Sequence, residues 1–98
     1  MKIGLLIDDP DRDMQAAAMA AQRCEKVSSS YDDLISDVKS GDVVVVWRMD
    51  KLAATVEQLA HRITEISLAG ATVHFAFEGV DSSNTQVSQL IDIMKRLP

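Results

Sequence analysis

Residues Gly41 to Ala54, GDVVVVWRMDKLAA, constrain the fold more than any other stretch of the chain. Consecutive valines and a tryptophan follow Gly41-Asp42, and Arg48, Asp50 and Lys51 close the run. A continuous β-branched run bounded by turn residues reads as a strand buried on both faces. Such a strand belongs in a sheet covered by helices, and its polar residues stand at the carboxyl end, where open α/β sheets build their sites.

The flanking sequence supplies the covering elements. Lys2 to Asp8 is a short apolar run that reads as a first strand, stopped by Asp8-Asp9-Pro10-Asp11 because Pro10 cannot donate to a ladder. Asp11 or Asp13 is placed to cap the next helix. Met14 to Cys24 is alanine-rich, and Ala17, Ala18, Ala21 and Cys24 predict a flat helix face lying close to the sheet. Ser28-Ser29-Ser30 is a polar break with Ser30 as an N-cap and Asp32 and Asp33 in the first turn. Tyr31, Leu34, Ile35 and Val38 continue at helical spacing, with Gly41 as the left-handed residue after the helix. Leu52, Val56, Leu59, Ile63 and Ile66 step by fours and threes, the core stripe of one amphipathic helix. Thr72 to Phe77 reads as a third strand, Glu78 to Asn84 as a polar loop, and Val87, Leu90, Ile91, Met94 and Leu97 as a last helical stripe stopped by Pro98. This order predicts an α/β fold of three layers, a mostly parallel β-sheet flanked by helices with right-handed crossovers.

Ninety-eight residues suit one domain with a single modest core. A net charge of -5 argues against nucleic-acid binding by this chain alone, since phosphate neutralisation needs clustered Lys and Arg. The single Cys24 forms no internal disulfide, and one Cys with two His offers no metal-ligand spacing, so the sequence calls for no metal and no cofactor. No stretch approaches membrane-spanning length and the apolar start is too short for a signal peptide, which predicts a cytoplasmic protein.

The central stretch resembles the catalytic domain of the serine recombinases, the resolvase and invertase family. GDVVVVWRMDKL, the helix to Leu68-Ala69-Gly70 and VHFAFEGVDSS match that family's strand, its W-K-L-D-R-L segment, a long helix and a strand ending in an E-G-I-D-T-like loop. Upstream, Met14-Gln15 and Ala18-Met19 are similar to its L-Q-x-x-A-L helix, and Cys24-Glu25-Lys26-Val27 to its C-E-R-I turn. The resemblance implies a resolvase-like catalytic-domain fold and a chemistry in which a serine after the first strand attacks a DNA phosphate ringed by arginines.

Measured against that pattern, the reactive groups are missing. The family reads Y-x-R-V-S where this chain reads Leu5-Leu6-Ile7-Asp8-Asp9, so Ile7 stands at the arginine position and Asp9 at the serine position. The loop carrying another arginine is reduced to Ser28 to Ser30. In D-R-L-x-R-S, Asp50 is kept, Lys51 replaces the first arginine and Ala54 the second; a lysine cannot reproduce a bidentate fork. The resemblance thus implies no catalytic residue but vestigial site positions at Asp9, Gln15, Asp50 and Lys51, with weak phosphate or DNA contact at Arg48 and Lys51. It also implies one domain over residues 1–98 lacking the family's long dimer helix and DNA-binding domain.

Several functions fit. The first is a non-catalytic interaction or regulatory module linked to DNA recombination or mobile elements, working with a protein partner or as a homo-oligomer through Val87, Leu90, Ile91, Met94 and Leu97. The second is a truncated, divergent resolvase or invertase with strand-exchange activity. The third is a receiver-like phosphate or metal switch at Asp8 and Asp9, although two carboxylates alone hold a divalent ion weakly. Arg48, Asp50 and Lys51 also fit a plain strand-end turn in which Asp50 caps the next helix. His61, His74 and Cys24 read as non-catalytic.

Overall fold

A computed structural model describes residues 1–96. The elements run β1 (Lys2–Leu5), α1 (Arg12–Ala21), β2 (Lys26–Ser28), α2 (Tyr31–Asp37), β3 (Val43–Val46), α3 (Met49–Leu52), α4 (Val56–Leu68), β4 (Thr72–Phe75), β5 (Val80–Asp81) and α5 (Val87–Lys95). The strands form one sheet in the order β2-β1-β3-β4-β5. It is parallel except for the β4–β5 hairpin at one edge.

The valine run sits at the centre of this sheet, as its composition requires. Val44 and Val46 point to one face, in register with Ile3 and Leu5 of β1 and with Val73 and Phe75 of β4. All six are essentially fully buried, against Leu34 of α2, Leu59, Ile63 and Ile66 of α4 and Leu90 of α5. Each such side chain contributes about 1.5–3 kcal/mol of transfer free energy. The opposite face carries α1, where Gly4 lets the chain pass close beneath Met19: a Cβ on Gly4 would lie 2.1 Å from the Met19 sulfur. Helices on both faces complete the three layers.

The structure corrects several expectations. The buried residues of α1 are Gln15 and Met19; of the predicted small-residue face, Ala17 and Ala21 are exposed, while Ala18 and Cys24 are half-buried. Lys26 to Ser28 is an edge strand rather than a turn alone, and the predicted loop after Phe77 contains β5. The third strand ends at Phe75, leaving Phe77 57% exposed. The stripe from Leu52 to Ile66 is two helices, because Ala53 is extended and Thr55 starts α4 afresh by accepting from the Gln58 amide at 3.1 Å. Gly41 has a positive φ of 88° but does not cap α2, which ends at Asp37; its amide donates to Gly70 O in a turn before β3. Ser30 does cap α2, accepting from the Asp33 amide at 3.2 Å. Among the described residues no helix is long and apolar enough to cross a membrane.

The last helical stripe is mostly consumed within the chain. Leu90 is fully buried, and Val87 and Met94 pack against the core. Those three are therefore not a free apolar face, and Ile91 is half-buried. Leu97 lies outside the described residues.

Candidate functional site

The carboxyl end of the sheet gathers the β1–α1 loop, the first turn of α1 and α3 around one lysine. β1 delivers Ile7, Asp8 and Asp9 past the sheet; the Pro10 turn then starts α1, with the Arg12 amide donating to Asp9 O at 3.0 Å. α3 follows β3 directly and projects Lys51 back towards that loop. Lys51 Nζ lies 2.6 Å from Asp11 Oδ2 and 3.1 Å from Asp9 Oδ2, with its side chain only 14% exposed.

Gln15 fixes the loop from inside. Its side chain is fully buried. Gln15 Oε1 accepts from the Ile7 amide at 2.8 Å, and Nε2 donates to Ile7 O at 3.1 Å and to Asp11 Oδ1 at 2.7 Å. One side chain thus satisfies both backbone groups of the residue leaving β1 and orients the carboxylate that meets Lys51. Partial burial pushes the Asp11 carboxyl up, but hydrogen bonds from Lys51 and Gln15 outweigh it and hold the carboxyl below its ordinary value. The hydrogen bond to Asp11, opposed by desolvation and aided by Asp9, holds the Lys51 ammonium above its ordinary value.

Asp9, Gln15 and Lys51 therefore converge, joined by Asp11, which sequence reasoning assigned only to a helix cap. Asp11 makes no side-chain cap hydrogen bond on α1. The available signal was its i,i+4 spacing to Gln15. Asp50 does not join the cluster; it pairs with Arg48 at 3.3 Å. Nor does it cap α4, a role held by Thr55.

Arg48 belongs to a second group, missed from sequence. Its guanidinium lies 4.8 Å from the Phe77 ring centroid and 5.8 Å from that of Trp47. Glu78 Oε2 accepts from the Met49 amide at 3.1 Å and so starts α3. Burial pushes the Glu78 carboxyl up.

Two of the positions where the resemblance puts arginines hold no cation, the third being Lys51. Ile7 packs against the core, and Ala54 is exposed with its amide on Gln58 Oε1 at 2.8 Å. Asp8, 96% exposed, faces Arg12 at 3.9 Å while Asp9 faces Lys51, so the acidic pair does not converge on one point. Among the described residues no group of three or more His, Cys, Asp or Glu could hold a metal ion. His74 pairs with Asp81 at 3.5 Å across the β4–β5 hairpin, and His61 is exposed. Burial pushes the Cys24 thiol up, which suits a packed sulfur rather than a nucleophile.

Residues 10–97 match the family described as Resolvase, N terminal domain. The chain is 26% identical over 103 aligned positions to the DNA-invertase hin of Salmonella typhimurium, covering 91% of this chain and 53% of that protein. It is 33% identical over 61 positions to the transposon Tn552 resolvase of Staphylococcus aureus, covering 61% of this chain and 31% of that one. The chain thus spans about half or less of the length of these curated relatives. In three dimensions it is similar to a resolvase family site-specific recombinase from Streptococcus pneumoniae, with a TM-score of 0.72 at 15% identity, covering 97% of this chain and 88% of that one. It is also similar to the N-terminal catalytic domain of TP901-1 integrase, with a TM-score of 0.66 at 18% identity over 97% and 92% of the two chains.

Proposed function

The chain belongs to the resolvase N-terminal domain family, and from that premise we propose that it is a non-catalytic module of DNA recombination, acting on a protein partner or on another copy of itself. One observation carries this reading: the ammonium of Lys51 is bridged by the carboxylates of Asp9 and Asp11. Strand cleavage by the family's chemistry needs a hydroxyl nucleophile beside cations that stabilise the phosphate in the transition state. Here the residue at the nucleophile position is an acid, and the cation nearest to it is neutralised by acids. A phosphodiester brought to Lys51 would have to displace two carboxylates already bonded to it, and Asp9 would repel it.

The test is a trapping assay with nicked recombination-site DNA, followed by denaturing electrophoresis. The expected result is no covalent protein–DNA adduct. An adduct mapped to any residue of this chain refutes the reading.

A second reading is supported by the share of the relatives that the chain covers, 53% for the invertase. In that reading these residues are the front part of a longer, divergent recombinase. A reading frame running past Pro98 into a long helix and a basic domain, with adduct formation by the longer protein, would favour it. The metal-switch reading has no comparable support, since Asp8 and Asp9 face different cations.

A further inference from the structure

α3 is four residues long, and its start is held from elsewhere in the chain. Arg48, the residue before it, makes no side-chain cap hydrogen bond; Glu78, in the turn after β4, accepts from the Met49 amide through Oε2 at 3.1 Å. A carboxylate on a helix-start amide is a strong cap when water solvates the rest of its charge. In this fold water is shut out. Among the described residues Glu78 Oε1 is buried with no hydrogen-bond partner, and so is Arg48 Nε. The charged groups facing Glu78 are Arg48, before α3, and Asp50, within it. Arg48 attracts the carboxylate, but its Nη2 lies 3.3 Å from Asp50 Oδ2 and its guanidinium 4.8 Å from the Phe77 ring centroid; Asp50 repels it. The Glu78 charge is therefore buried with one oxygen unmet, which costs more than the same charge in water.

We propose that Glu78 is a charge-loaded latch on α3: at neutral pH its carboxylate turns out to water readily and frees the Met49 amide, and proton uptake keeps it shut. Turned out, the carboxyl has its ordinary affinity for a proton. In the closed position burial raises that affinity, and the Met49 hydrogen bond and Arg48 offset only part of the rise. Protons therefore bind the closed form better and favour it. The gain is complete below the ordinary value of 4.5 and is lost as pH rises through the higher closed-state value. The helix it releases carries Lys51, so the latch sets how firmly that lysine is held against Asp9 and Asp11. The latch operates whether or not the chain cleaves DNA.

The experiment is native-state hydrogen exchange of the 98-residue chain, followed by nuclear magnetic resonance and corrected for intrinsic rates. It reads the Met49 amide between about pH 4 and neutrality, with the Leu59 amide, bonded to Thr55 O at the start of α4, as reference. Relative to Leu59, Met49 should gain at least about threefold in protection as pH falls across that range. E78Q, a neutral isostere that keeps the acceptor, should be independent of pH and as protected at neutral pH as the native chain is in acid. E78A, which removes the acceptor, should lose protection at every pH, and D50N should keep the native profile. A cap that gains from its charge gives the reverse: the native Met49 amide loses protection in acid, and E78Q loses it at neutral pH. Either result overturns the proposal, as does a flat native profile, an E78A variant as protected as the native chain, or a profile that D50N abolishes and E78Q keeps. If E78Q fails to fold, the native profile alone decides.

Discussion

Gln15 is the residue on which the candidate site's geometry turns, and its contribution can be separated into two parts. Replacement by Met keeps the volume and removes the polar contacts. The Ile7 amide then loses its partner at 2.8 Å, while the Ile7 carbonyl loses the contact at 3.1 Å and keeps the Asp9 amide at 3.0 Å. A buried backbone group left unpaired costs about 1–3 kcal/mol, and the half-burial of Ile7 lets water offset part of it, so Gln15→Met should cost about 2 kcal/mol. Gln15→Ala adds a cavity under a fully buried side chain and should cost roughly 2 kcal/mol more. For a domain of this size the Met variant should melt about 8–16 °C lower. Urea denaturation followed by circular dichroism measures both values. Native-state hydrogen exchange at the Ile7 amide localises the effect, and that amide should lose protection in both variants. A Met variant as stable as the parent, with Ile7 protection unchanged, would refute the claim that this side chain holds the loop.

Acid sensitivity follows from the lysine bridge. The Asp11 carboxyl is held below its ordinary value of 3.8, so its stabilising effect is present above that pH and is lost as pH falls through the lower folded value. Lys51→Met should flatten the acid limb of the stability–pH curve below about pH 5; an unchanged limb in urea titrations would contradict it. Alkaline sensitivity has a separate source. Burial, then the hydrogen bond to Glu65, pushes the Tyr31 hydroxyl well above its ordinary value of 10.0, so the native state loses stability as pH rises past that value and Tyr31 ionises more readily in the unfolded chain. Tyr31→Phe should remove that part of the loss and cost about 1 kcal/mol at neutral pH; a variant with the parent's alkaline limb speaks against it. Gly4→Val should drive branched carbon into the Met19 sulfur and cost at least about 1–3 kcal/mol, read as a lower urea midpoint.

The parts of the fold legible in the sequence are those whose signal is burial. Val43 to Val46 and Ile3 to Leu5 are central strands, and Leu59, Ile63 and Ile66 face the sheet because no other placement hides them. The parts that escaped have little apolar surface to hide. β2 is an edge strand whose Val27 is 47% exposed, and it exists through its pairing with β1 rather than through any pattern of its own. β5 is two residues held by an antiparallel register that depends on the turn before it. The break between α3 and α4 was hidden because Leu52 and Val56 keep a helical step across it. The T-x-x-Q signal of Thr55 and Gln58 marked the true start.

The site was legible by position and not by contact. The resemblance located Asp9, Gln15 and Lys51, yet it gave Asp11 no part and drew Asp50 into the cluster. An aspartate before a helix has two uses, capping the amides or accepting from a cation that arrives from elsewhere in the chain, and local sequence favours the first. The second prevails here because α3, entering directly from the central strand, delivers a lysine forty residues away in sequence to within 2.6 Å of the carboxylate. The same reasoning takes Asp50 away: at the start of α3 its neighbour Arg48 is a nearer cation than Lys51's cluster, and the pair closes at 3.3 Å. At the carboxyl end of the sheet Lys51 is thus already paired with Asp9 and Asp11, and Arg48 with Asp50, all acids of the chain itself.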